Sequence, residues 1–319
     1  MILVTGGSGF IGSQLIGKLS AEGVSVRCLR HRRSVPSGPR LEVVPGDIVS
    51  GAGLADALRG VDTVIHLAGL TKALTVAEFE VGNVRGTENL ARAAAGRSIR
   101  FVHVSTLAAI GPSLDGTPVT EEAEPHPLTH YGRSKLAGER VVRALLPDAV
   151  IVRPPVVYGP RDTGVFQMLR SVQRGIVLEI TGGERWFSAI YVADLAEGLI
   201  AAARSPSAPG REYFLAHPTP VTWRELGSVP ARIMGRKPRV LRVPVFAAYG
   251  VGYCAEWWSR VTRTPGIVSR EKVTEAMCRY WTCDTRRAAR EIGFQASTSF
   301  EQGIAQALAW YREAGWLHY

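Results

Sequence analysis

Short, nearly unbroken apolar runs punctuate the first half of the chain, with helix-period stretches between them. Ile2–Thr5, Val24–Leu29, Leu41–Pro45, Thr63–Leu67, Phe101–Ser105 and Val150–Arg153 read as strands. Ile11–Ala21, Gly53–Leu58, Val84–Ala95 and Tyr131–Leu145 read as helices. A strand with one wet face alternates apolar and polar residues. These strands do not, so both faces of their sheet are expected to be covered. Strand and helix in alternation then mean an α/β fold with a doubly wound parallel sheet and crossover helices. After Gly159 the pattern becomes irregular, broken often by Pro and Gly, and it turns back toward the sheet near Ala189–Ala203. The expected division is a large domain over 1–160, rejoined by about 186–204, and a smaller interleaved lobe from 161–185 and 205–319. A chain of 319 residues is long enough to support both.

Composition changes little in this picture, but charge adds to it. Hydrophobic residues at 46% and charged residues at 21% are ordinary for a soluble globular protein. No segment approaches the ~18 uninterrupted apolar residues of a membrane span. The start goes straight into a strand with no basic leader or cleavage site, so a cytoplasmic location is expected. Cys28, Cys254, Cys278 and Cys283 lack paired spacing and histidine partners, so free thiols and no metal site are expected. The net charge of +10 is concentrated: from Trp223 to Arg290, fourteen Arg and Lys stand against five acids. Such a patch suits anionic lipid, a phosphorylated substrate or plain solvent. Nucleic acid is not expected, because no binding motif accompanies the charge.

Chemistry enters at the first turn. In Thr5-Gly6-Gly7-Ser8-Gly9-Phe10-Ile11-Gly12, Gly6, Gly9 and Gly12 follow a GxxGxxG spacing between strand and helix. Glycine lets the backbone approach a pyrophosphate, and the helix start offers free N–H groups and a favourable dipole. Gly6, Ser8, Gly9, Phe10, Ile11 and Gly12 are therefore expected to hold a dinucleotide. An acid at the end of the second strand would hold the ribose 2′-hydroxyl of NAD. Here the chain reads Arg27-Cys28-Leu29-Arg30-His31-Arg32-Arg33, with Arg30 in the acid's position and Arg33 nearby. Guanidinium suits a 2′-phosphate; the other reading is a basic surface turn. NADP(H) is the expected cofactor, with NAD(H) the alternative. Asp47 and Ile48 end the third strand, where Asp47 could accept from the adenine amine. Leu67, Ala68 and Gly69 end the fourth in small residues suited to close cofactor passage, and His66 before them reads as a core histidine.

Tyr131-Gly132-Arg133-Ser134-Lys135 places a phenol and an ammonium on one helix face, four residues apart. A neighbouring ammonium and an oxidised nicotinamide would favour the phenolate, so that Tyr131 could exchange a hydroxyl proton while hydride moves at the same carbon. Ser105 and Thr106 end the fifth strand, and a hydroxyl there can orient the reacting oxygen. Reading on to Gly111 favours Thr106 over Ser105.

Together these residues resemble the extended short-chain dehydrogenase/reductase family. The matching pieces are Thr5–Gly12, His66–Gly69, Asn83-Val84-Arg85-Gly86-Thr87, Ser105–Gly111, Tyr131–Lys135 and Arg153-Pro154-Pro155-Val156-Val157-Tyr158-Gly159-Pro160. The resemblance implies a Rossmann-type fold with a C-terminal substrate lobe, catalysis by Thr106 and Tyr131, and Lys135 on the nicotinamide ribose. It also implies that Asn83, Ser105, Pro154 and Val156 lie beside the cofactor, and that the protein is a homodimer built on a helix pair.

Substrate class is read from two departures. The sugar-nucleotide branch of the family carries an arginine before the strand near Ala189 to hold a diphosphate. Phe187 stands there instead, although a shifted register could use Arg185. Val243–Ala255 is thirteen uncharged residues followed by Glu256-Trp257-Trp258, flanked by Arg239, Arg242, Arg260 and Arg263. It reads as a core helix, an apolar substrate wall or an interfacial helix making peripheral membrane contact. The combination is similar to the 3β-hydroxysteroid dehydrogenase and dihydroflavonol-reductase branch. The expected function is NADP(H)-dependent hydride transfer to or from a hydrophobic secondary alcohol or ketone, steroid- or terpenoid-like. The alternatives are a nucleotide-sugar epimerase or dehydratase, and a cofactor-binding protein without turnover. Leu107 stands after Thr106, where a dehydratase wants an acid, which favours the epimerase form of the first alternative.

Overall fold

The computed structural model describes residues 1–31, 38, 40–264, 266 and 269–319. Six parallel strands appear where the apolar runs predict them: β1 (Ile2–Thr5), β2 (Val26–Arg30), β3 (Leu41–Pro45), β4 (Thr63–His66), β5 (Arg100–Val104) and β6 (Val150–Val152). With Glu212–Tyr213 they make a seven-stranded sheet in the order Glu212–Tyr213, β6, β5, β4, β1, β2, β3. β2 begins later than expected because Gly23, at φ +74°, closes the first helix and the Val24 amide bonds back to Leu19.

Period-two alternation sends neighbouring residues to opposite faces of the sheet. Val4, Ile65 and Val102 pack with Leu15 and Leu19 of the helix Phe10–Ala21 and with Leu195 and Leu199 of the helix Val192–Arg204. Leu3, Val64 and Phe101 pack on the other face with Leu90 and Val142. The central strands are covered on both faces, as their composition requires, whereas β3 at the edge leaves Val43 exposed. This is a doubly wound Rossmann-type α/β fold.

Three elements differ from expectation. The predicted helix Val84–Ala95 is a π-helical stretch, Glu80–Arg85, running into an α-helix, Gly86–Ala94. The Asn83 side chain explains the irregularity: it bonds both the amide and the carbonyl of Leu70 and reaches Ser134 Oγ, each within 2.9 Å. The strand Ala189–Tyr191 pairs with Val156–Tyr158 and not with the main sheet; what returns to the main core is the helix after it. The seventh strand comes instead from the stretch expected in the lobe, and two residues are too short to leave a periodic signal. The lobe has its own core, in which Leu169, Val172, Phe187, Ile304, Leu308 and Tyr311 pack together.

A buried ion pair ties the helix His130–Leu145 to the sheet. Arg153, one residue past β6, donates from Nη2 to Glu139 at 2.7 Å and from Nε at 3.1 Å, and both side chains are under 10% exposed. Breaking a buried pair on one side leaves an uncompensated charge. Arg153→Met is therefore expected to destabilise the fold by about 3–5 kcal/mol in chemical denaturation, and adding Glu139→Gln to restore most of that loss.

Candidate active site

Every strand of the main sheet points its carboxyl end to the same edge. The connections run one way from β1 through β3 and the other way from β4 onward, so a crevice opens between β1 and β4. Gly6, at φ +72°, turns the chain there: a Cβ on it would lie 2.8 Å from the Ala68 amide, and one on Gly12 would lie 2.3 Å from the Gly6 carbonyl. The helix that follows has no side-chain cap, so its first N–H groups stay free. A cradle that any Cβ would fill, at an uncapped helix start, fits a dinucleotide pyrophosphate.

The other expected cofactor residues lie along this edge with differing freedom. Ser8, Gly9, Phe10 and Ile11 follow the turn. Arg30 is exposed at the end of β2 and has no carboxylate partner among the described residues; Arg33 lies outside the described residues. Asp47 accepts the amides of Val49 and Ser50 at 3.0 and 3.3 Å, and His31 stands 3.9 Å away. Burial opposes its ionisation, but these bonds outweigh it and hold the carboxyl below its ordinary value. Ile48 packs toward Gly86, and Asn89 anchors the loop through the carbonyls of Ile48 and Val49, a role the sequence does not signal. Leu67, Ala68 and Gly69 leave β4 beside the glycine turn. Pro154 accepts the Leu107 amide, and Val156 is exposed in a lobe strand. Ser105 Oγ is buried without a partner among the described residues, an orphan group one residue past β5. Asn83, expected beside the cofactor, is held by Leu70 and Ser134, and its Oδ1 lies 2.9 Å from where a Cβ on Gly69 would stand.

Thr106, Tyr131 and Lys135 converge. Thr129 caps their helix by accepting the Gly132 amide. A Cβ on Gly132 would lie 2.3 Å from the Ala108 carbonyl, so only glycine lets the helix press against the turn Leu107–Ala109. Thr106 Oγ1 accepts the Ala108 amide at 3.2 Å and keeps its proton for the adjacent Tyr131 oxygen. Burial pushes the Tyr131 phenol up to about 12; the Thr106 bond opposes this and Glu275 adds to it. The expected lowering by Lys135 does not appear in the protein alone, because burial dominates.

Lys135 Nζ donates to the Val104 carbonyl at 2.8 Å. Burial holds it down to about 8, against the pull of Glu139 one turn along. Beneath it His66 accepts from Thr5 through Nδ1 at 2.7 Å and meets Thr87 Oγ1 through Nε2 at 3.0 Å. Thr87 donates its own proton to the Asn83 carbonyl, which makes Nε2 of His66 the donor and fixes a neutral ring. Burial, then the Lys135 charge, takes His66 down to about 3. His103 is neutral for the same causes.

A cavity of about 520 Å³ opens over Tyr131, bounded by Lys72, Phe79, Glu256, Arg260 and Lys272 among others. Lys272 stands 5.9 Å from the Tyr131 ring centroid and is paired with Glu275 at 2.6 Å. Burial holds Lys72 below its ordinary value, against the pull of Asp162 and with Lys272 adding to the fall. Lys72, Phe79 and Lys272 carry no local sequence signal, because each reaches Tyr131 from more than fifty positions away along the chain. Arg185, the candidate diphosphate ligand by shifted register, is buried and donates to the carbonyls of Ile180, Thr181 and Gly183. Among the described residues no group of three or more metal-ligating side chains is assembled.

Residues 2–216 match the model of the NAD dependent epimerase/dehydratase family. A ceramide reductase of Caulobacter vibrioides is 34% identical over 99% of this chain and 96% of its own. A 3-beta-hydroxysteroid dehydrogenase of Mycolicibacterium neoaurum is 28% identical, over 98% and 91% respectively. Among solved structures, MoeE5 in complex with UDP-glucose and NAD is 26% identical with a TM-score of 0.81, covering 98% of this chain and 99% of its own.

Two substitutions separate chemistry from stability. Tyr131→Phe is expected to abolish turnover while cofactor affinity, measured by titration, stays unchanged. Lys135 is lowered from 10.5 on folding, so its charge opposes folding at pH values below about 8, and the penalty lifts as pH rises from there toward 10.5. Lys135→Met is expected to end turnover yet raise stability at neutral pH by up to about 3 kcal/mol.

Proposed function

This chain belongs to the NAD-dependent epimerase/dehydratase family and is an NAD(P)-dependent oxidoreductase; we propose that it transfers hydride between NADP(H) and a hydrophobic secondary alcohol or ketone. A bound nicotinamide supplies or accepts the hydride. Thr106 and Tyr131 bind the substrate oxygen, and Lys135 holds the ribose side of the crevice. In reduction, the Tyr131 phenol gives its proton to the oxygen as the carbonyl carbon becomes an alcohol carbon. In oxidation, the phenolate takes the hydroxyl proton back. Burial pushes the Tyr131 phenol up to about 12, so in the protein alone it carries the proton that ketone reduction consumes.

The observation that carries the lipophilic reading is the cavity together with the fate of Arg185. Leu74, Val76, Phe79 and Leu128 give the cavity its apolar side, Lys72 and Arg260 a cationic one. That suits an amphiphile with an oxygen-rich or anionic head. Arg185 is committed to backbone carbonyls, and Phe187 is buried in the lobe core. The ceramide and hydroxysteroid named for the two relatives point the same way. The likeness to MoeE5 with UDP-glucose supports a second reading, a nucleotide-sugar epimerase in which hydride returns to the sugar. The preference for NADP(H) rests on Arg30, exposed and without a carboxylate partner among the described residues, where an acid would select NAD. A homodimer, as the family resemblance implies, completes the reading.

The test offers the purified protein NADP⁺ with hydrophobic secondary alcohols, NADPH with the matching ketones, and either cofactor with UDP-sugars. Net cofactor turnover with the lipophilic series is expected, with oxidation climbing as pH rises and reduction strongest near neutrality. Arg30→Asp is expected to shift preference toward NAD(H) by at least tenfold. Sugar isomers forming without net cofactor turnover would establish the epimerase instead.

A further inference from the structure

The strand Arg239–Val243 leads through Pro244 into the helix Val245–Thr262, and this helix is packed inside out. A surface helix of a water-facing protein turns apolar residues inward and charge outward. Here the inward positions are Ala248, Gly252, Glu256 and Ser259. Gly252 lies against Arg270 and Val273, Glu256 accepts from the Arg270 amide and guanidinium at 2.9 and 2.8 Å, and Tyr249 meets Thr274. The outward face carries Phe246 at 79% exposure, Trp257 at 65%, Trp258 at 60%, and Tyr253 and Val261 at 58%. The adjoining strand pair also exposes Leu178, Val240 and Leu241. Arginines flank it at both ends. Arg239 and Arg242 precede the helix, and Arg260 and Arg263 close it. Among the described residues only Arg242 has a carboxylate partner, Glu179 at 3.5 Å.

We propose that the outer face of Val245–Thr262 docks on an anionic lipid bilayer and lies in its interface. Tryptophan and tyrosine partition to the headgroup boundary, and unpaired guanidinium groups meet anionic headgroups there. The flanking charge selects this occupant over a second copy of the chain. A two-fold contact would set the same one-signed arginine flanks against each other, whereas lipid headgroups neutralise them. No helix among the described residues is long and apolar enough to cross a membrane, so the contact is peripheral. Glu256 and Ser259, on the inward side of the same helix, wall the cavity over Tyr131 with Arg260, so docking sets that cavity directly behind the helix that meets the lipid. This last consequence rests on the cavity being the substrate site; the docking itself does not.

Sedimentation of the purified protein with vesicles, without cofactor or substrate, tests the docking separately from the redox reading. Vesicles of phosphatidylcholine with phosphatidylglycerol are expected to bind at least tenfold more tightly than phosphatidylcholine alone, and salt to weaken that binding. The combined variant Phe246→Ser, Trp257→Ser and Trp258→Ser is expected to lose at least tenfold in vesicle affinity with its melting temperature unchanged. Absence of binding to either vesicle, or binding that survives the combined variant, overturns the proposal. So does a dimer in light scattering that the same variant dissolves while vesicles go unbound, since a second copy would then be the occupant.

Discussion

A single ammonium, Lys135, sits under the crevice between β1 and β4, and the surrounding structure keeps it charged where water does not reach. Burial works against the charge, and two features hold it: the Val104 carbonyl at 2.8 Å and the Glu139 carboxylate one turn along the helix. Glu139 is in turn clamped by Arg153, so the support reaches down to the end of β6. Burial first, and this charge second, keep His66 and His103 neutral. With its tautomer fixed, His66 becomes a strut linking Thr5 of the glycine turn to Thr87 and the Asn83 carbonyl. The hydrogen bonds of His66 thus link the glycine turn to the π-helical stretch, while Lys135 and Glu139 tie the helix His130–Leu145 to the ends of β5 and β6.

The lobe meets this arrangement at the start of the catalytic helix. Glu271 accepts the His130 amide at 2.9 Å and Glu275 accepts from Thr129, placing carboxylates where the helix dipole favours them. Through Arg270 and Glu256 the same segment grips the helix Val245–Thr262. A continuous line of contacts therefore runs from the exposed aromatic face through the cavity wall to Tyr131. Lys72 and Arg260 line the same cavity as Tyr131.

What the sequence made legible follows from locality. The glycine turn, the Tyr131–Lys135 spacing and the strands β1–β6 are each set within a few residues, and each stands where periodicity and spacing predict except β2, which starts at Val26 and not Val24. The two-residue strand Glu212–Tyr213 is held by β6 and not by its own pattern, so it left no signal. Asn83 was assigned to the cofactor through resemblance alone; its engagement with Leu70 and Ser134 depends on the π-helical geometry, which propensity does not encode. Arg185 looked available because its partners are backbone carbonyls, which are invisible in residue types. The apolar run after Val243 left a core helix, a substrate wall and an interfacial helix open, and only three-dimensional packing revealed which side faces out.

The charge state of Lys135 is the point on which this account turns, and lysine Nζ labelling read by NMR during a pH titration measures it directly, with Lys135→Met identifying the signal. The account predicts a midpoint near the value of about 8 set by burial, moving lower in Glu139→Gln as the supporting carboxylate is lost. A midpoint at the ordinary lysine value of 10.5, or one that Glu139→Gln leaves in place, would contradict it.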